Sequence, residues 1–91
     1  MLGIEPSNQA RKFSRHLPNK HQKQIAEKIA ALRVDPFLPD TIQMKGAFSE
    51  FRRASVGEYR IIYHVSGNSL FIDVIGKRND DEVYKLIKFK L

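Results

Sequence analysis

The strongest constraint on the fold is the run from Phe51 to Val65, FRRASVGEYRIIYHV, two stretches of β-forming residues that meet at Val56-Gly57-Glu58. A tight reversal needs a residue that accepts positive φ, and Gly57 supplies it. If Gly57 and Glu58 form a two-residue loop, Val56 pairs with Tyr59, Ser55 with Arg60, and Arg53 with Ile62. Strand alternation then sends Val56, Tyr59, Ile61, Tyr63 and Val65 to one side, and Arg53, Ser55, Arg60, Ile62 and His64 to the other. The first side reads as a core and the second as a cationic surface. A three-residue loop would slip the register by one and set Arg52, rather than Arg53, beside Arg60. In either register two guanidinium groups lie close together, which is costly unless an anion or an acidic side chain neutralises them.

Ninety-one residues make one domain, spanning 1–91. A chain of this size buries only about 60–65% of its unfolded surface, so a shallow outer groove is a more natural site than an enclosed cavity. Sixteen basic against ten acidic residues give a net charge of +6, which favours a polyanionic partner such as nucleic acid, or an acidic protein. The absence of cysteine excludes disulfides, a thiolate nucleophile and a Cys-containing zinc site. No apolar run approaches the roughly 20 residues of a membrane span. No secretory signal is visible, and the cytoplasm is the expected location.

The N-terminal half reads as helical. Met1 to Glu5 suits a short strand ended by Pro6. Ser7 or Asn8 can cap a first helix in which Ala10, Phe13 and Leu17 mark one stripe. Pro18-Asn19 breaks that helix and starts a second, to about Val34, with Ile25, Ile29 and Leu32 on its buried face. Pro36 disfavours a helical Asp35 and ends it.

The C-terminal half reads as strands at about 43–45, 50–56, 59–65 and 70–75, with Ser66-Gly67-Asn68 as a turn. In the last strand Leu70, Ile72 and Val74 alternate with Phe71, Asp73 and Ile75, so both faces are partly apolar. Gly76-Lys77-Arg78-Asn79 is expected to leave the sheet. Asp80 and Asp81 suit the start of a short helix carrying Val83, Tyr84, Leu86 and Ile87. The fold class is α+β: a hairpin of two N-terminal helices packed on a small antiparallel sheet of about four strands, with a short C-terminal helix.

Leu17-Pro18, Asp35-Pro36, Lys45-Gly46, Val56 to Tyr63, Gly76-Lys77-Arg78 and Glu82-Val83-Tyr84 follow one another along nearly the whole chain. In that order they resemble the RelE/ParE toxin superfamily of type II toxin–antitoxin systems. Gly-Lys-Arg followed by Glu-Val-Tyr resembles the RelE branch more than the ParE branch. The resemblance implies a ribosome-dependent endoribonuclease that cuts mRNA, inhibits translation and is silenced by a cognate acidic, RelB-like antitoxin. It implies no cofactor and no metal.

Metal-free RNA cleavage needs a group to deprotonate the 2′-hydroxyl, cations for the developing phosphorane charge and a proton donor for the leaving 5′-oxygen. By resemblance, Arg60 is the arginine after the hairpin turn, suited to a bidentate grip on phosphate. Arg53 is its basic neighbour on the preceding strand, Arg78 follows the last strand, and Tyr84 is the C-terminal tyrosine that moves a proton or orients a base. Lys45, Arg52, Lys77 and Ser55 are read as RNA contacts at the margin of this site.

The chain departs from the RelE pattern at two places. Phe51 stands where RelE-type enzymes carry a lysine, the natural general base, and Ser55 replaces an arginine common in the superfamily. His64 is the one nearby group that titrates near neutrality, but four strand residues, about 13 Å, separate it from Arg60. It reads as a structural or surface histidine, and His16 and His21 read as solvated. Tyr59 and Tyr63 share the apolar face and read as core. Two other functions stay open: a ParE-like toxin that binds and poisons DNA gyrase without chemistry, and a weakened protein that only binds RNA or antitoxin.

Overall fold

The computed structural model describes residues 1–79 and 82–90. Strand β1 (Gly3–Pro6) leads into helices α1 (Asn8–Arg15) and α2 (Asn19–Val34). Strands β2 (Thr41–Gln43), β3 (Arg52–Val56), β4 (Tyr59–Ser66) and β5 (Ser69–Lys77) follow, with a 3₁₀ turn at Gly46–Phe48, and helix α3 (Glu82–Ile87) closes the fold ahead of a 3₁₀ turn at Lys88–Lys90. The expected helix start at Asp80 and Asp81 lies outside the described residues.

The hairpin forms in the two-residue register: Val56 faces Tyr59, Ser55 faces Arg60 and Arg53 faces Ile62. Gly57 takes φ 54°, the left-handed conformation that the turn requires. Ser7, not Asn8, caps α1, its hydroxyl accepting from the Ala10 amide at 3.1 Å.

The sheet is mixed and has five strands in the order β1-β5-β4-β3-β2, which corrects the expectation of an antiparallel sheet of about four. The added strand is β1, running parallel to β5 with Gly3 opposite Ser69 and Pro6 opposite Ile72. Pro6 lies inside this strand rather than ending it. A proline is tolerated there because β1 is an edge strand, with no neighbour to require its missing N–H.

A register shift at Ile62/Tyr63 corrects the reading of β5. Ile62 faces Val74 and Tyr63 faces Ile72, so Asp73 is the extra residue of a bulge. Leu70, Ile72 and Ile75 thereby reach one face, while Val74 reaches the other. The strand also runs on through Gly76 and Lys77.

Each face of the sheet carries its own core. Under α1 and α2, Ile25 and Leu32 pack on Tyr59, Ile61, Tyr63, Leu70, Ile72 and Ile75. Under α3, Phe51, Ile62 and Val74 meet Val83 and Ile87. The second face is thus not a purely cationic surface, because α3 covers part of it. Gly76 permits the close approach: a Cβ there would sit 2.9 Å from Val83 Cγ1.

Candidate functional site

The α3 face of the β3–β4 hairpin presents Arg53, Ser55 and Arg60, the last two directly opposed. Tyr84, on the first turns of α3, is half-buried, and its hydroxyl accepts an N–H from Arg53 Nη1 and another from Arg60 Nη1, the latter at 3.0 Å. The Arg60 guanidinium also lies over the Tyr84 ring, 5.7 Å from its centroid. Two like charges are thereby brought close together, where they repel. A phosphate placed between them relieves that repulsion, and both side chains are forked donors of the geometry that phosphate oxygens accept.

The remaining site candidates divide by position. Arg78 is exposed at the hairpin tip, where its amide donates to the Glu58 carbonyl at 2.9 Å. Lys45 is exposed just before the 3₁₀ turn. Arg52 does not join the cluster. In the observed register it points to the α1/α2 side, with its guanidinium 5.1 Å from the Phe37 ring centroid and donating to Thr41 Oγ1 at 2.7 Å and Gln43 Oε1 at 3.0 Å. Lys77 lies opposite Tyr59 and so on the helix side too, lining a cavity of about 370 Å³ with Leu17, His21, Glu58 and Tyr59.

Phe51 is 2% exposed, packed under α3 with its ring edge-on to His64 at 5.6 Å. The position expected to hold a lysine therefore serves the second core. His64 Nδ1 lies 2.7 Å from Asp73 Oδ2, and its ring stacks on Phe71 at 4.8 Å. Burial pushes the Asp73 carboxyl above its ordinary value, and the hydrogen bond and charge of His64 act against that rise.

His21 is not solvated as expected. Its Nδ1 lies 2.6 Å from the hydroxyl of buried Tyr59, and its Nε2 lies 3.8 Å from Glu58. The sequence signal for this was slight, since the buried tyrosine needs a polar partner but nothing local names it. Tyr59 and Tyr63 are core residues, with the Tyr63 hydroxyl donating to the Pro36 carbonyl at 2.5 Å. Among the described residues no three His, Asp or Glu side chains gather in a way that could hold a metal ion, and no helix is long and apolar enough to cross a membrane.

The family of ParE toxins of type II toxin–antitoxin systems, parDE, matches this chain over residues 4–82. The chain belongs to the ParE toxin family. No curated protein sequence matches it closely. Among solved structures, this ParE-family toxin superposes on isolated RelE toxin from Escherichia coli with a TM-score of 0.74 at 20% identity, over 100% of both chains. It superposes on the archaeal RelE–RelB complex from Pyrococcus horikoshii with a TM-score of 0.74 at 25% identity, covering 85% of this chain and 94% of that one. A YoeB–YefM complex from Staphylococcus aureus gives 0.72 at 21% identity, with 86% and 98% covered. The RelE/ParE superfamily expected from the sequence is thus the one found, and the toxin's fold is that of RelE.

Proposed function

We propose that this toxin cleaves mRNA at the ribosome without a metal ion, inhibits translation, and is silenced in the cytoplasm by an acidic RelB-like antitoxin laid across its basic surface. The observation that carries this reading is the convergence of Arg53 and Arg60, from paired strands, on the Tyr84 hydroxyl. The two guanidiniums grip the scissile phosphate and stabilise the negative charge that grows on it as the RNA 2′-oxygen attacks phosphorus. That attack forms the 2′,3′-cyclic phosphate, releases the 5′-oxygen and requires one proton to leave the 2′-hydroxyl and one to reach the departing oxygen. Tyr84 takes part in this proton transfer, and exposed Arg78 adds a third positive charge near the same end of the sheet. Guanidinium and phenol are poor ligands for a divalent ion, which supports chemistry that survives chelation.

A second reading is favoured by the ParE description of the family and by the buried phenylalanine at position 51. In it the toxin binds DNA gyrase and performs no chemistry, and the cationic face recognises protein or DNA.

Inducing the protein in cells and mapping mRNA ends on ribosomes separates the two. The nuclease reading expects cut mRNA, growth arrest and loss of both in Arg60→Ala, with little recovery in Arg60→Lys because an ammonium lacks the two-pronged donor. Arrest with intact mRNA, DNA damage signalling and a fully toxic Arg60→Ala would sink it in favour of gyrase.

A further inference from the structure

The edge of the sheet beside the arginine pair carries an apolar side chain that neither core uses. Ile42 of β2 is the direct cross-strand partner of Arg53, and its side chain stands on the same face of the sheet. It is 51% exposed. Opposed residues of an antiparallel pair hold their Cβ atoms about 5 Å apart, so Ile42 touches the zone immediately beside the phosphate grip. The next residue of that face along the chain, Met44, is half-buried against the Phe51 cluster, so Ile42 and Met44 form a short apolar shelf running along the site's margin. Edge strands ordinarily carry charge on their exposed positions to prevent pairing, and a lysine here would also extend the cationic surface. An isoleucine does neither.

Resting on the nuclease reading above, we infer that Ile42 is the platform on which a nucleobase flanking the scissile phosphate lies, and that it sets which base is accepted at that position. A single-stranded nucleotide exposes its charge and its flat apolar face on opposite sides of the sugar. A site that grips the phosphate with arginine needs an apolar surface within one nucleotide's reach, and single-strand binders provide such surfaces routinely. Ile42 supplies one at the only described edge that adjoins Arg53, since β2 ends the sheet on that side. The contact is aliphatic rather than aromatic, so it discriminates by shape and not by a base-edge hydrogen bond, and the preference it imposes is graded.

The test maps cleavage ends on a defined mRNA translated by purified ribosomes, comparing the wild-type chain with Ile42→Ala and Ile42→Phe, each first shown by thermal melting to be folded. Ile42→Ala is expected to slow cutting about three- to tenfold and to flatten the base preference at a single position next to the cut. Ile42→Phe is expected to keep cutting and to shift the preference at that same position toward larger bases. Unchanged rate and pattern in both variants overturns the inference, as does a uniform slowing with the pattern intact, whatever happens to antitoxin binding. A wild-type chain that cuts no mRNA overturns the nuclease reading itself, and this inference with it.

Discussion

The two faces of the sheet are covered very unequally. On one, α1 and α2 contribute 8 and 16 residues and seal a core that includes Ile25, Leu32, Tyr63 and Ile72. On the other, the six residues of α3 rest on Phe51, Ile62 and Val74 and leave Arg53 and Arg60 beside them only half-buried. Stability is concentrated on the first face, and the second gives up coverage in exchange for a cationic surface next to an anchored phenol. The difference teaches that the small helix is both a lid on a core and the carrier of Tyr84, the proposed site residue, so packing faults there should disturb function before they disturb the fold.

The harshest way to break this contrast is Phe51→Lys, which restores the lysine of the RelE pattern. Position 51 is inside the second core, so the ammonium would be buried among Ile62, Val74, Val83 and Ile87. The expected loss is several kcal/mol, and chemical denaturation should show it, with no gain in cleavage. Added activity in a stable protein would mean that this side chain reaches the arginines after all.

Next comes a matched pair of truncations. Leu32→Ala on the helix face should cost about 2–5 kcal/mol of unfolding free energy, while Val83→Ala under α3 should cost about 1–2. Amide exchange would sharpen the result: the Val83 variant should raise exchange in α3 alone, and the Leu32 variant throughout.

A gentler perturbation is Gly76→Ala. The new methyl meets Val83 Cγ1 at 2.9 Å, so α3 must shift outward, at a cost of about 1–3 kcal/mol. Cleavage should fall by more than the stability loss explains, because Tyr84 moves with the helix. Equal activity at equal folded fraction would separate Tyr84 from the chemistry.

The smallest effect concerns the Asp73 carboxyl under the same face. Burial raises it above its ordinary value of 3.8, so the folded state binds that proton more tightly than the unfolded state. The stability tied to the protonated form is full below that ordinary value and is lost as pH rises through the folded one. Asp73→Asn lacks this loss, so its Tm relative to wild type should climb by about one or two degrees from acid to neutral pH. A constant difference across that range would remove the burial argument.

Much of this molecule was legible in its sequence where the signal is local. Gly57 and the alternation around it located the hairpin and narrowed its register to two, one of which sets Arg53 and Arg60 on one face as observed. The strip of Ile25, Ile29 and Leu32 specified the helix face. What could not be read depended on distant partners. Nothing in Gly3–Pro6 announces a parallel neighbour 66 residues away. The bulge at Asp73 inverts the facing of later residues without any glycine or proline to mark it. The arginine adjacent to Arg53 faces away only because the loop has two residues rather than three. Phe51 reads as a missing base until Val83 and Ile87 are seen to lie on it.

The Tyr84 hydroxyl carries a further consequence. A phenol oxygen has two lone pairs, and here two guanidinium N–H groups point at that one atom. With both acceptor directions taken, the hydroxyl hydrogen is turned away from the arginines. On the nuclease reading, the pair that would bind the phosphate would thus also aim the hydroxyl's proton, so replacing either arginine would remove a grip and misdirect a donor in the same stroke.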